Sequence, residues 1–347
     1  MRRRQGKSPA LGRRALLLGA LGAGVTVALP FTRRGYAASP PGLLVCDQLA
    51  RQVLLLDSTR ADWNPASDPG VVSWRFAPDT DGRYADLKPA ESFTSVSEAK
   101  PVVLDGREHV LIGASCGFAA LVEYPSGDRR WGARVTDGAR PDDLNPHSLE
   151  ILPSGNIAVA CSASGEIRLY AASQSPTSTA FTTVPLPGAH GVQWDAANGL
   201  LWALGDTELV AYRPNGNPEQ EYLTREKGTR LRADLAGTPS GHDLYAVSGQ
   251  PDLMWVSTGS SVFQYSLSAD AFRTFSGASS CAAQPGGVKS ISNVGPAVAM
   301  TAPDGNLDKS WWTRSVRVEG GDPLTHTLAG SGYGGVYKAR WWQPQQR

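Results

Sequence analysis

Three histidines and three lysines recur through this sequence at nearly even intervals, and both residue types can do proton and anion chemistry near neutral pH. They are Lys100, His147, His190, His242, Lys289 and Lys338, with neighbours 43 to 52 residues apart. Each is followed by a small, constrained or short residue: Pro101, Ser148, Gly191, Asp243, Ser290 and Ala339. Lysines converging on one point would hold a carboxylate, sulfate or phosphate. Their charge would also lower neighbouring histidine pKa values and leave neutral imidazoles able to accept a proton. A base beside a neutralised carboxylate is what β-elimination of a uronate-containing glycan requires, because the proton removed lies next to that carboxylate. This expectation gives His147, His190 and His242 the acid/base role and Lys100, Lys289 and Lys338 the anion-binding role, with Arg340 and Tyr245 able to reach the same place.

A second expectation makes His147, His190 and His242 ligands of a divalent metal with an open fourth position. An ion of charge +2 at ~10 Å from each lysine would meet roughly 1 to 3 kcal/mol of repulsion per lysine. Anion binding without a cofactor therefore stands ahead of it. A third reading is that these side chains only solvate a wet channel, in which case the chain is a non-catalytic extracellular binding scaffold.

All three readings need elements that bring the six positions together. Segments of alternating or apolar character, separated by Gly, Asn or Asp turns, fill the chain after its first forty residues, as in an all-β protein. The unit His147 to Tyr170 is rewritten as His190 to Tyr212 and as His242 to Tyr265, with copies beginning at Lys100 upstream and Lys289 downstream. The closing tyrosines Tyr124, Tyr170, Tyr212 and Tyr265 fall 46, 42 and 53 residues apart. A period of ~40 to 50 residues with several short strands per unit marks propeller blades, and at ~48 residues per blade the chain after residue 38 makes six. Leu43–Asp47 and Gln52–Leu56 read as a blade lacking its innermost strand, which Lys338 to Trp342 supplies. Such closure removes the sheet edge that an open ring would leave. The expected fold is thus a six-bladed β-propeller of four-stranded antiparallel blades over residues 39–347, with the six recurring residues at one mouth of its channel.

The repeat resembles the six-bladed propellers of the NHL-type and strictosidine-synthase-like superfamily, and specifically an uncharacterised family of exported actinobacterial propellers. The resemblance implies the architecture but no activity, because propellers host hydrolases, lyases, oxidoreductases and binding scaffolds alike. Turns that hand the second strand to the third would open on the same face, which adds Asp47, Gln48, Ser115, Cys116, Ser162, Asp206, Thr258 and Asp304 as further candidates.

Met1 to Arg4, then Arg13-Arg14 before an apolar Gly/Ala-rich run to Leu29 and Ala37-Ala38, read as a twin-arginine signal peptide over residues 1–38, cleaved near Ala37 or Ala38. About 14 apolar residues fall short of the ~20 that span a bilayer, so no lasting anchor is expected and the destination is extracellular. Lys plus Arg number 33 against 32 Asp plus Glu, which offers no basic field for nucleic acid. The expected partner is an anionic small molecule, a glycan or an extracellular protein, and the expected state a monomer. Cys46, Cys116, Cys161 and Cys281 could form disulfides after export or remain small core residues. Three motif matches fail on context. Gly113-Ala-Ser-Cys-Gly117 has the nucleophile-elbow spacing but leads into a strand, Ser97-Glu-Ala-Lys100 lacks its partner motifs, and Asp79-Thr-Asp81-Gly82 stops short of a calcium loop.

Overall fold

A computed structural model describes residues 41–138, 140, 142–230, 240–259, 261–274, 287–320 and 323–347. The expected signal peptide over residues 1–38 and Cys281 lie outside the described residues. Six sheets of antiparallel strands follow one another around a channel. The first blade is discontinuous in sequence: Val336–Trp341 lies innermost and pairs with Leu43–Asp47, which is followed outward by Gln52–Leu56 and Val72–Phe76. The other inner strands are Val96–Leu104, Pro146–Ile151, Gly191–Asp195, Leu244–Ala246 and Ser290–Val294.

The short apolar runs are continuous because both faces of each strand are covered. Successive side chains point to opposite faces, so Leu44 and Cys46 pack toward the second blade while Leu43 and Val45 pack toward the sixth. Each of the six junctions between blades carries its own apolar cluster. Large rings anchor several of them. Trp74 meets Tyr124 at 5.7 Å, Trp131 meets Tyr170 at 5.3 Å and Trp202 meets Tyr265 at 5.2 Å between ring centroids. The recurring tyrosines are therefore packing residues that fasten one blade to the next, each burial contributing about 1.5 to 3 kcal/mol.

Two further pairings strengthen the closure. Asp62–Trp63 adds in parallel to the outer edge of the last blade, where Trp63 stacks on His326 at 4.5 Å. At the other end of the chain, Gln345–Gln346 adds in parallel to the inner strand of the second blade. No helix among the described residues is long and apolar enough to cross a membrane.

Candidate functional site

Three adjacent inner strands carry an extra residue at the same end; two of these bulges bring His147 and Tyr337 to the channel mouth, whereas in the third the buried Ser97 hydroxyl donates to the Pro146 carbonyl at 2.7 Å. Where Ala160 opposes Ser148 and Cys161 opposes Pro146, His147 is left without a partner. In the second blade Ser97 is the extra residue between Val96 and Glu98. In the first, Tyr337 and Lys338 together face Cys46. A bulge of this kind turns a side chain away from the strict alternation of a strand, so that both Tyr337 and Lys338 reach the channel.

In the remaining blades a simpler device operates. The backbone N–H groups of His190, His242 and Lys289 donate to Leu204, Ser257 and Thr301 respectively, each at 2.8 Å, so the three side chains occupy equivalent positions just before their inner strands. The small residues that follow them are set by crowding between blades. A Cβ on Gly191 would lie 2.6 Å from the Cβ of Leu244, and the Ser290 hydroxyl accepts from Ala339 N at 2.9 Å.

The imidazoles of His147, His190 and His242 consequently meet, with ring centroids 4.5, 4.8 and 5.7 Å apart. The Tyr337 hydroxyl lies between two of them, 3.2 Å from His147 Nδ1 and 3.1 Å from His242 Nε2. His190 Nδ1 stands 2.6 Å from the carbonyl of Gly188. A carbonyl only accepts, so Nδ1 carries the proton, and in the neutral ring Nε2 is the basic nitrogen. Lys289 stands beside the group, with its ammonium 6.0 Å from the centre of the Tyr337 ring.

Burial lowers all three histidine pKa values from 6.5. The charges of Lys289 and Lys338, together with neighbouring imidazoles, push His147 and His242 well down. Burial beside Lys338 brings Lys289 down to about 8, which leaves it largely charged at neutral pH. These residues form one wall and the floor of a cavity of about 580 Å³, whose rim adds Gln48, Ser95, Ser115, Cys116, Asn145 and Trp311, with Arg140 and Asp142 at one side.

Below the histidines the channel is filled. Lys338 donates to Glu98 at 3.1 Å, to Asp243 at 3.2 Å and to the His147 carbonyl at 3.2 Å. Arg340 forks onto Asp243 at 2.6 and 2.7 Å and reaches Glu98 at 3.1 and 3.2 Å. Burial alone would raise both carboxyls, but Arg340 and Lys338 hold Glu98 and Asp243 well below the ordinary carboxylate range. All four side chains are buried. Deeper still, Lys100 donates to the Val192 carbonyl and lies 3.9 Å from Glu150, whose other oxygen accepts from Arg347 at 2.7 and 2.9 Å. Tyr245 gives its ring face to Arg340, 4.3 Å from the centroid.

The six recurring residues are therefore not one ring. His147, His190, His242 and Lys289 converge at the mouth. Lys338 lies beneath them in a closed ion network, and Lys100 lies three residues beyond the bulge, about 10 Å deeper at ~3.3 Å per residue. The expected clamp of three lysines reduces at the mouth to Lys289, because Lys100 and Lys338 are already neutralised, and Arg340 and Tyr245 belong to the network as well. Among the described residues no group of three His, Cys, Asp or Glu is arranged to hold a metal ion. The Tyr337 hydroxyl engages two of the imidazoles and two ammonium groups stand close by, so the residues present do not fit a three-histidine metal centre.

Gln48, Ser115 and Cys116 line the cavity as the turn argument suggests, whereas Asp206, Thr258 and Asp304 do not. Asp47 instead accepts the backbone N–H groups of Gly334 and Gly335. Cys46, Cys116 and Cys161 are free thiols, the first and last buried in the blade junctions. Tyr337, Glu98 and Trp311 escaped the sequence reading. Glu98 stood within a rejected motif, and strand alternation would have turned Tyr337 away from the channel beside Lys338.

No curated protein sequence matches this chain. Among solved structures, a protein of unknown function from Bacteroides caccae aligns with a TM-score of 0.54 at 13% identity, covering 87% of this chain and 98% of that one. A streptogramin B lyase structure aligns with a TM-score of 0.42 at 15% identity, covering 68% of this chain and 71% of that one. Residues 68–345 match the family of unknown function DUF6528, so this six-bladed propeller belongs to that family.

Proposed function

We propose that the cavity at the channel mouth binds a ligand bearing a carboxylate and removes the proton next to that carboxylate. The observation that carries the reading is the tautomer of His190: its Nδ1 proton is held by the Gly188 carbonyl, and its basic Nε2 has no hydrogen-bond partner among the described residues of a cavity that also holds the Lys289 ammonium. A half-buried ammonium in a cavity attracts an anion more strongly than one in open water, because less water competes with it. The same charge helps keep the histidines neutral, which is the state a base needs.

On a uronate the step would be β-elimination. His190 Nε2 takes the proton from the carbon beside the carboxylate, a carbon–carbon double bond forms, and the bond from the adjacent carbon to the glycosidic oxygen breaks. Water returns a proton to the departing oxygen, and His190 later releases its own. Lys289 offsets the negative charge that builds on the carboxylate. The same proposal puts this activity outside the cytoplasm, a reading supported by the amino-terminal paired arginines and apolar run.

Calorimetric titration at pH 7 with galacturonate and with galactose tests the binding half. Galacturonate should bind and galactose should not, with Lys289→Met abolishing the difference. Equal affinity for the two sugars would overturn the reading. New ultraviolet absorbance from an unsaturated uronate on incubation with acidic glycans, lost in His190→Ala, tests the chemical half.

A further inference from the structure

Trp311 is unlike the other tryptophans packed into the blades. It is 43% exposed, yet it is not loose: its indole N–H donates to the Gln48 side-chain oxygen at 3.0 Å, and that same oxygen accepts from Trp312 at 2.6 Å. Gln48 is itself buried and anchored through its amide N–H to the Val96 carbonyl at 3.0 Å. A buried amide thus fixes the N–H edge of an indole that lines the cavity and stays partly open to solvent. An aromatic platform that is already held in place loses little entropy when a ligand settles on it. The negative face of an indole suits the row of weakly positive C–H bonds on one side of a pyranose ring. Three further rim groups, Ser95, Ser115 and Asn145, are neutral hydrogen-bonding side chains of the sort that fix hydroxyl groups, while Arg140 and Asp142 at one side bring one charge of each sign.

We infer that Trp311 and Gln48 form a pyranose-stacking subsite, so that the ligand is an acidic sugar entering as the end of a chain, with its ring on Trp311 and its carboxylate toward Lys289. This rests on the anion-binding reading above and adds the chemical class of the ligand and the direction of entry. End-on entry follows from the floor, where Tyr337, Lys338, Arg340, Glu98 and Asp243 are all buried and block the channel, so a polymer cannot thread through. The cavity lies within the ~300 to 1,000 Å³ range of small-ligand pockets and is closed beneath, unlike an open cleft along a polymer.

The test compares methyl galacturonoside with glutarate, an acyclic carboxylate, by titration calorimetry on wild type, Trp311→Ala, Trp311→Phe and Lys289→Met. The expected result is at least tenfold weaker binding of the galacturonoside to Trp311→Ala, most of it restored in Trp311→Phe, with glutarate binding unchanged in both and Lys289→Met losing both ligands. If wild type binds the two probes equally, or if Trp311→Ala weakens both by the same factor, the stacking subsite is overturned while the anion site stands. If wild type binds neither probe, the anion reading fails and the subsite with it. For the direction of entry, a galacturonate oligomer extended at only one end should bind, and an oligomer blocked by bulky groups at both ends should not. Equal binding of the doubly blocked oligomer overturns end-on entry.

Discussion

The mouth of the channel and its interior are both lined from the inner strands and the residues just before them, yet they differ in how charge is balanced. In the interior, Lys338 and Arg340 face Glu98 and Asp243 at hydrogen-bond distance on all sides. At the mouth, Lys289 has no carboxylate partner among the described residues, and the histidines beside it are held neutral by burial and by its charge. A closed network of ions holds strands in register, and breaking it exposes buried charge. An unbalanced cation in a cavity is a cost to the fold, and a ligand anion would relieve it. The difference separates residues that hold the ring together from residues that could act.

The largest effect should come from breaking the interior. Arg340→Met leaves Lys338 as the one cation hydrogen-bonded to Asp243 and Glu98, beside the neutral donors Ile291 N–H and the Ser148 hydroxyl, and should lower unfolding stability by about 3 to 5 kcal/mol in a denaturant titration. Lys289→Met should do the opposite at the mouth, leaving stability within about 1 kcal/mol of wild type or raising it, since it removes a desolvated charge. If both substitutions cost the same, the distinction between the two regions collapses. Tyr337→Phe lies between them. It removes the hydroxyl from two imidazoles and should cost about 1 to 2 kcal/mol, readable in the same denaturant titration.

How far all this was legible in the sequence depends on the blade. His190, His242 and Lys289 begin their strands in the same register, so simple alignment of repeats brings them together. His147 needs a bulge to join them but keeps the period. Lys100 fails because the second blade's inner strand starts at Val96, four residues earlier than the repeat suggests, and the bulge at Ser97 is invisible without a partner strand. Asp243 could be read as a neighbour of the ring, but its pairing with Arg340, 97 residues away, could not. The added strand Gln345–Gln346 had no signal either, since two glutamines carry no strand pattern. The blade period was written in tyrosines and apolar runs, whereas the charge balance that tells the two regions apart arises only when the ring closes.

The smallest effects lie in pH. Lys289, down at about 8 from the ordinary 10.5, loses its proton as pH rises through 8, so anion affinity should be full below that value and fall above it. The histidines work in the other direction. Their folded pKa values lie below 6.5, so their contribution to stability is complete above 6.5 and is lost as pH falls through the depressed values. Activity by elimination would therefore be confined between these limits.

The most direct measurement is an NMR titration of the three mouth imidazoles in wild type and in Lys289→Met. The charge argument predicts that His147 and His242 titrate below 6.5 in wild type and move upward in the variant, because Lys289 is one of the charges that hold them down. Imidazoles that titrate at 6.5 in both proteins would mean that the mouth is merely solvated, and would contradict the claim that its charge is poised for an anion.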